Sequence, residues 1–191
     1  MRIDTIIAMG AEQMEKMNTK WVVMNGLMIA LVFLVTYTTK IPGPVGPFNI
    51  GDAVIMVTAI LLGRNSGLLA GALGSAVADI AMGYAFFAPF TLIVKGLEGY
   101  IVGLIAYHGK SENFDTGRKI VGVVVGAVVM IAGYFFSESL VLPLFNKDFG
   151  LAMAVRELVS TNLIQGFVSA VTGYILSTVL IKANIMKHIS V

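Results

Sequence analysis

The chain has no cysteine, two histidines, one tryptophan and only 13% charged residues. Without cysteine there are no disulfides, no thiolate metal sites and no cysteine nucleophiles. His108 and His188 both fall in loop or tail sequence, which argues against a histidine metal cluster among the apolar segments. Positive and negative charges nearly cancel, 13 Lys and Arg against 11 Asp and Glu for a net charge of +2. That balance offers no basic surface for nucleic acid. A Gly-x-x-x-x-Gly-Lys-Ser/Thr phosphate loop is missing, so ATP hydrolysis by that route is excluded. An intramembrane enzyme would want a nucleophile with its base, or a metal cluster, at helical spacing; neither is present, nor is His-Glu-x-x-His.

What the chain has in abundance is apolar sequence. Of 191 residues, 57% are hydrophobic, and the mean hydropathy is +0.88. A soluble domain is typically about 45–50% apolar and about 25% charged, and no soluble core of this size buries so much Leu, Val, Ile and Ala. The apolar runs are continuous rather than alternating, which excludes a transmembrane β-barrel. The fold class is an all-α polytopic membrane protein with six transmembrane helices. They are expected at about residues 21–37, 49–63, 67–82, 90–107, 120–142 and 158–181. The second is short, only about 15 Å of helix over residues 53–62, so it borrows from its flanks or lies shielded by neighbours. The turn Arg64-Asn65-Ser66 separates it from the third. Between the first two spans, Lys40-Ile-Pro-Gly-Pro-Val-Gly-Pro-Phe48 cannot be helix, because proline removes backbone donors; it reads as a stiff extramembrane loop. A polar connector follows Pro143 and runs to about Val155.

Lysine and arginine set the orientation. With the N-terminus inside, the cytoplasmic set is Arg2, Lys16, Lys20, Arg64, Lys110, Arg118, Lys119, Lys182 and Lys187, against Lys40, Lys147 and Arg156 outside. Both termini are therefore expected in the cytoplasm: residues 1–19 form a cytoplasmic N-terminal segment, 20–182 the six-helix domain and 183–191 a cytoplasmic tail. Residues 1–18 suit a short surface helix or a partly ordered tail.

Buried charge marks a candidate site. An ionised group near the bilayer centre costs roughly 2.5–3.5 kcal/mol on insertion scales, yet Asp79, Lys95 and Glu98 lie within otherwise apolar sequence. Lys95 and Glu98 are three residues apart and can share a helix face, either as a structural ion pair or with Lys95 donating to a ligand that Glu98 helps orient. Asp79 can bind ligand, cap a helix or pair with Lys95. Glu138, Asn162 and Gln165 offer hydrogen bonds to a heterocycle; Tyr84, Phe86, Phe87 and Tyr134 can stack on a flat ring or serve as interfacial anchors. Asp52 is expected to organise the loop before the second span. In the predicted topology these groups converge towards the outer side, as a pocket open outward rather than a path across.

Several of these stretches resemble a known family. Asn49-Ile-Gly-Asp52 opens a short second span ending Leu-Leu-Gly63; Gly67-Leu-Leu-Ala-Gly-Ala-Leu-Gly74 leads to Ala78-Asp79; and Pro89-Phe-Thr-Leu-Ile-Val-Lys95-Gly-Leu-Glu98-Gly99 begins the fourth. Together they resemble the substrate-binding S component of an energy-coupling factor (ECF) vitamin transporter, in the subgroup with hydroxymethylpyrimidine-, pyridoxine- and riboflavin-type members. The resemblance implies a high-affinity outward pocket in a prokaryotic plasma-membrane protein that is not itself an enzyme. It further implies a transmembrane coupling subunit with two cytoplasmic ATPases as partners, and no cofactor. In the family, small residues of the first span contact the coupling subunit; here Gly26 and Ala30 stand where paired alanines are usual. The pocket inventory suits pyridoxine or hydroxymethylpyrimidine. Riboflavin, pantothenate (through Lys95) and a self-sufficient secondary carrier are the alternatives.

Overall fold

The computed structural model describes residues 19–43, 47–108 and 115–185. Residues 1–18, the middle of the Pro/Gly loop, residues 109–114 and the end of the tail lie outside these. Among the described residues the regular elements are all helices, with one antiparallel bridge between Ile41 and Phe48. Helix α1 spans Thr19–Thr38 and α2 Gly51–Leu62. Next, α3 (Arg64–Leu69) passes through a π-helical turn, Ala70–Gly74, into α4 (Ser75–Ala81). Helix α5 is Ala88–Ala106, and α6 is Thr116–Phe136, continued by a π-turn at Ser137–Val141 and a 3-10 turn at Leu142–Leu144. Helix α7, Leu151–Glu157, joins α8, Leu163–Lys182, through a third π-turn at Leu158–Asn162.

Four of the continuous rods are long and apolar enough to cross a membrane: Thr19–Thr38, Ala88–Ala106, Thr116–Leu144 and Leu151–Lys182. Their apolar side chains face outward in numbers no water-soluble surface would carry, among them Val23, Leu27, Ile93, Val128, Phe167 and Val179. The short second segment takes the opposite course. Almost every residue of α2 from Gly51 to Leu61 is buried, and the helix packs against α1, α3, α5 and α8. A helix that is hydrophobic all round belongs in the interior. Shielding by neighbours thus resolves how so short a helix is accommodated. Met56, Ala59 and Ile60 of α2 anchor the main apolar cluster with Val102, Ala106, Val123, Ala127 and Ala170.

Glycine lets α3 and α5 touch at the backbone. A Cβ on Gly67 would strike the carbonyl of Gly99, one on Gly99 would strike that of Gly67, and one on Gly71 would strike that of Lys95. The pairs Gly67/Gly71 and Gly99/Gly103, each four apart, form the small-residue seam that close helix packing requires.

Two boundaries differ from the sequence expectation. The turn between the second and third segments is made at Gly63, whose φ of 92° is open to glycine; Arg64, Asn65 and Ser66 already belong to the helix. The connector after Pro143 ends at Gly150 rather than near Val155, because α7 starts at Leu151 and brings Arg156 and Glu157 into helix.

Candidate functional site

A cavity opens at the end of the molecule where the loop before α2, the turn after α4 and the segment between α6 and α7 meet. Its empty volume is about 550 Å³, the open mouth included. Eight of the ten candidate side chains line it: Asp79, Tyr84, Phe87, Lys95, Tyr134, Glu138, Asn162 and Gln165. Glu98 does not. It is fully buried behind Lys95 and lies 3.5 Å from the Lys95 Nζ as an ion pair, with neither carboxylate oxygen in a hydrogen bond.

The floor is one connected polar network. Lys95 Nζ donates to Asp52 Oδ1 at 2.5 Å. The other Asp52 oxygen accepts from Gln165 Nε2 at 2.9 Å, and Gln165 Oε1 accepts from the Asn49 N–H at 3.0 Å. Lys95 Nζ also sits 5.3 Å from the centroid of the Tyr134 ring. The Tyr134 hydroxyl donates to Thr91 Oγ1 at 3.1 Å, and Thr91 donates to Asp79 Oδ2 at 2.5 Å. Buried polar groups of this kind rigidify a site when their partners are in place. Here they join α2, α4, α5, α6 and α8.

This arrangement corrects two expectations. Asp52 does not organise the preceding loop; it is Lys95's principal partner, because the buried α2 carries it inward, with only 1% of its surface exposed. The loop is instead held by Asn49, whose Oδ1 accepts from Gly51 N–H and whose own N–H reaches Gln165. Asp79 neither caps a helix nor bonds Lys95 directly; its hydrogen-bond partner is Thr91.

Sequence reasoning missed Thr36, Asn49, Ser75, Thr91, Glu157 and Thr161, all of which line the cavity. For some of them a signal was present: Glu157, Thr161 and Gln165 recur every four residues, one polar face through the π-turn into α8. Phe149 had no such signal. It stacks on Phe86 at 6.0 Å and meets Phe87 edge-on at 5.5 Å, while Tyr84 meets Phe87 at 6.5 Å. These rings bring the 83–87 turn and the 145–150 segment together at the mouth. Phe86 itself is 46% exposed and does not line the cavity.

Gly26 and Ala30 stand apart from the cavity. Both are exposed on α1, a Cβ on Gly26 would meet nothing within 4 Å, and α1 buries only Asn25, Val32 and Thr36.

Apolar helices around a polar and aromatic cavity open at one end define a membrane-embedded protein that binds a small molecule. Comparison with known proteins makes the class specific. Residues 16–183 match the family model described as ECF-type riboflavin transporter, S component, and the chain belongs to that family. It is a transport subunit of the cell membrane, multi-pass and not an enzyme. Over 177 residues, 91% of this chain and 95% of the other, it is 26% identical to the "Thiamine precursor transporter HmpT" of Lactococcus lactis subsp. cremoris (strain MG1363). Over 105 residues, 54% of this chain and 68% of the other, it is 43% identical to a Pyrococcus woesei protein described as "Uncharacterized protein in gap 3'region".

Proposed function

We propose that the chain is the substrate-binding subunit of an ECF importer for a one-ring vitamin or vitamin precursor, with hydroxymethylpyrimidine ahead of pyridoxine. The observation that carries this is the charge pattern of the cavity. Its one lysine is already matched by Asp52 and Glu98, whereas Asp79, Glu138 and Glu157 add three carboxyl groups to the wall. Such a site favours neutral or basic ring donors over anions, which counts against pantothenate. Tyr84, Phe87 and Tyr134 supply aromatic wall for a flat ring. The Lactococcus relative, named a thiamine precursor transporter, points the same way.

Riboflavin is the second reading, favoured by the name of the matching family. In this proposal the six helical segments all cross the membrane, the cavity opens outward, and both termini are cytoplasmic. The energy comes from a transmembrane coupling subunit and two ATPases, since the chain has no phosphate loop of its own.

Calorimetry on the purified full chain in detergent, with hydroxymethylpyrimidine, pyridoxine, riboflavin and pantothenate, tests the reading. One-to-one binding of hydroxymethylpyrimidine at least tenfold tighter than the rest (about 1.4 kcal/mol) is expected. Preference for riboflavin selects the second reading, and preference for pantothenate overturns the charge argument.

A further inference from the structure

Among the cavity-lining residues three buried polar atoms stand without partners, Thr36 Oγ1, Glu138 Oε2 and Asn162 Nδ2, and the last two are chemically complementary. Glu138 is 3% exposed and Asn162 is 5% exposed; Glu138 Oε2 and Asn162 Nδ2 each line up with no hydrogen-bond partner, and both residues face the cavity. One is an acceptor and the other a donor. A buried polar group left unpaired carries its full desolvation penalty, so a complementary pair left open in one cavity is costly unless a ligand completes it.

The backbone singles out the same two residues. Glu138 belongs to the π-turn Ser137–Val141 and Asn162 to the π-turn Leu158–Asn162. Such turns insert a residue into the helical repeat and recur at functional sites. Here they interrupt the third and fourth of the membrane-length rods, each where the rod borders the cavity. Three other polar side chains of the wall are already committed: Asp79 to Thr91, Gln165 to Asp52 and Asn49, Lys95 to Asp52.

We infer that Glu138 and Asn162 form the specificity pair of the site, reading the amidine-like edge of an amino-substituted nitrogen heterocycle. The Glu138 carboxylate accepts from the exocyclic amino group, and the Asn162 amide donates to the adjacent ring nitrogen. A pyridine ring with a phenolic hydroxyl offers no such neighbouring donor and acceptor, so the pair would separate the two one-ring ligands left open above. The inference rests on the proposed function and refines it.

The test is a cycle between one ligand group and one side chain. Hydroxymethylpyrimidine and its deaminated analogue are titrated into the wild type and into Glu138→Gln. Loss of the amino group is expected to weaken wild-type binding at least tenfold. Glu138→Gln is expected to weaken the aminated ligand at least tenfold and the deaminated one less than threefold. A merely structural role would weaken both ligands alike, since only a direct contact gives a coupling between the two changes. Asn162→Leu provides a second arm, with a loss of at least tenfold expected for either pyrimidine. Equal wild-type affinity for the two pyrimidines overturns the inference even if Glu138→Gln fails to fold, and leaves the vitamin reading standing. Failure of every vitamin in the panel to bind properly folded wild type overturns the vitamin reading itself.

Discussion

Lys95 is held at the cavity floor by carboxylates on two helices, and its removal would expose how the site is built. Asp52 and Glu98 are 1% and 0% exposed, so truncating Lys95 strands negative charge in the interior. Breaking a buried pair from one side costs about 3–5 kcal/mol, whereas replacing the whole pair by neutral groups of similar volume is often nearly neutral. Lys95→Met is therefore expected to lower unfolding stability in detergent by about that amount, and Lys95→Met with Asp52→Asn to recover more than half of the loss. Denaturant or thermal unfolding of the two variants checks this. If the double variant is no more stable than the single one, Asp52 is not the group that Lys95 neutralises. The same geometry means that reduced ligand binding by a Lys95 variant is not by itself proof of contact with ligand.

At the scale of elements, the seam between α3 and α5 fixes where Lys95 sits, because its own carbonyl lies against Gly71. Gly71→Ala is expected to cost about 1–3 kcal/mol, the usual range for overpacking. Gly26→Ala, with nothing within 4 Å of the new Cβ, is expected to stay within about 0.5 kcal/mol of wild type; parallel melting curves compare them. The aromatic contacts at the mouth predict a kinetic effect. Aromatic pairs contribute about 0.5–1.5 kcal/mol each beyond burial, and Phe149 makes two of them. Phe149→Ala is expected to speed ligand release up to about tenfold for each such pair lost, with association little changed, measured by stopped-flow fluorescence or competition. Unchanged release would mean that the rings pack the mouth without retaining the ligand. These elements also show what the sequence could and could not disclose. Apolar runs and intramembrane charges announced helices and a polar pocket, since each carries a local cost in lipid. The Asp52–Lys95 pairing spans 43 residues and depends on α2 lying in the interior, which no local pattern encodes. The π-turns rotate Glu138 and Asn162 by a fraction of a turn and leave no mark in residue type. Phe149 reaches the mouth only because the segment after α6 folds back.

For the molecule as a whole, the cavity and the exposed face of α1 lie on different surfaces. The cavity is closed in by α2, α4, α5, α6 and α8 through the floor network, while α1 contributes few buried residues and presents Gly26 and Ala30 outward between Val23, Leu27 and Leu34. Small residues set among larger apolar ones allow another helix to come close in a bilayer, and the importer reading requires an α-helical coupling subunit to dock somewhere. If α1 is that surface, binding and transport are separable by mutation. Gly26→Leu adds bulk where the fold has open space, so it should leave ligand affinity in the purified chain within about twofold of wild type, as expected for a surface change far from the site. Uptake of the vitamin by cells coexpressing the energising subunits is expected to fall at least tenfold, together with loss of the subunit from the copurified complex. Intact uptake with Gly26→Leu would remove α1 as the docking face. Uptake by the chain without any partner would go further and restore the self-sufficient carrier, because nothing in the importer reading lets this subunit move substrate without ATP hydrolysed by another.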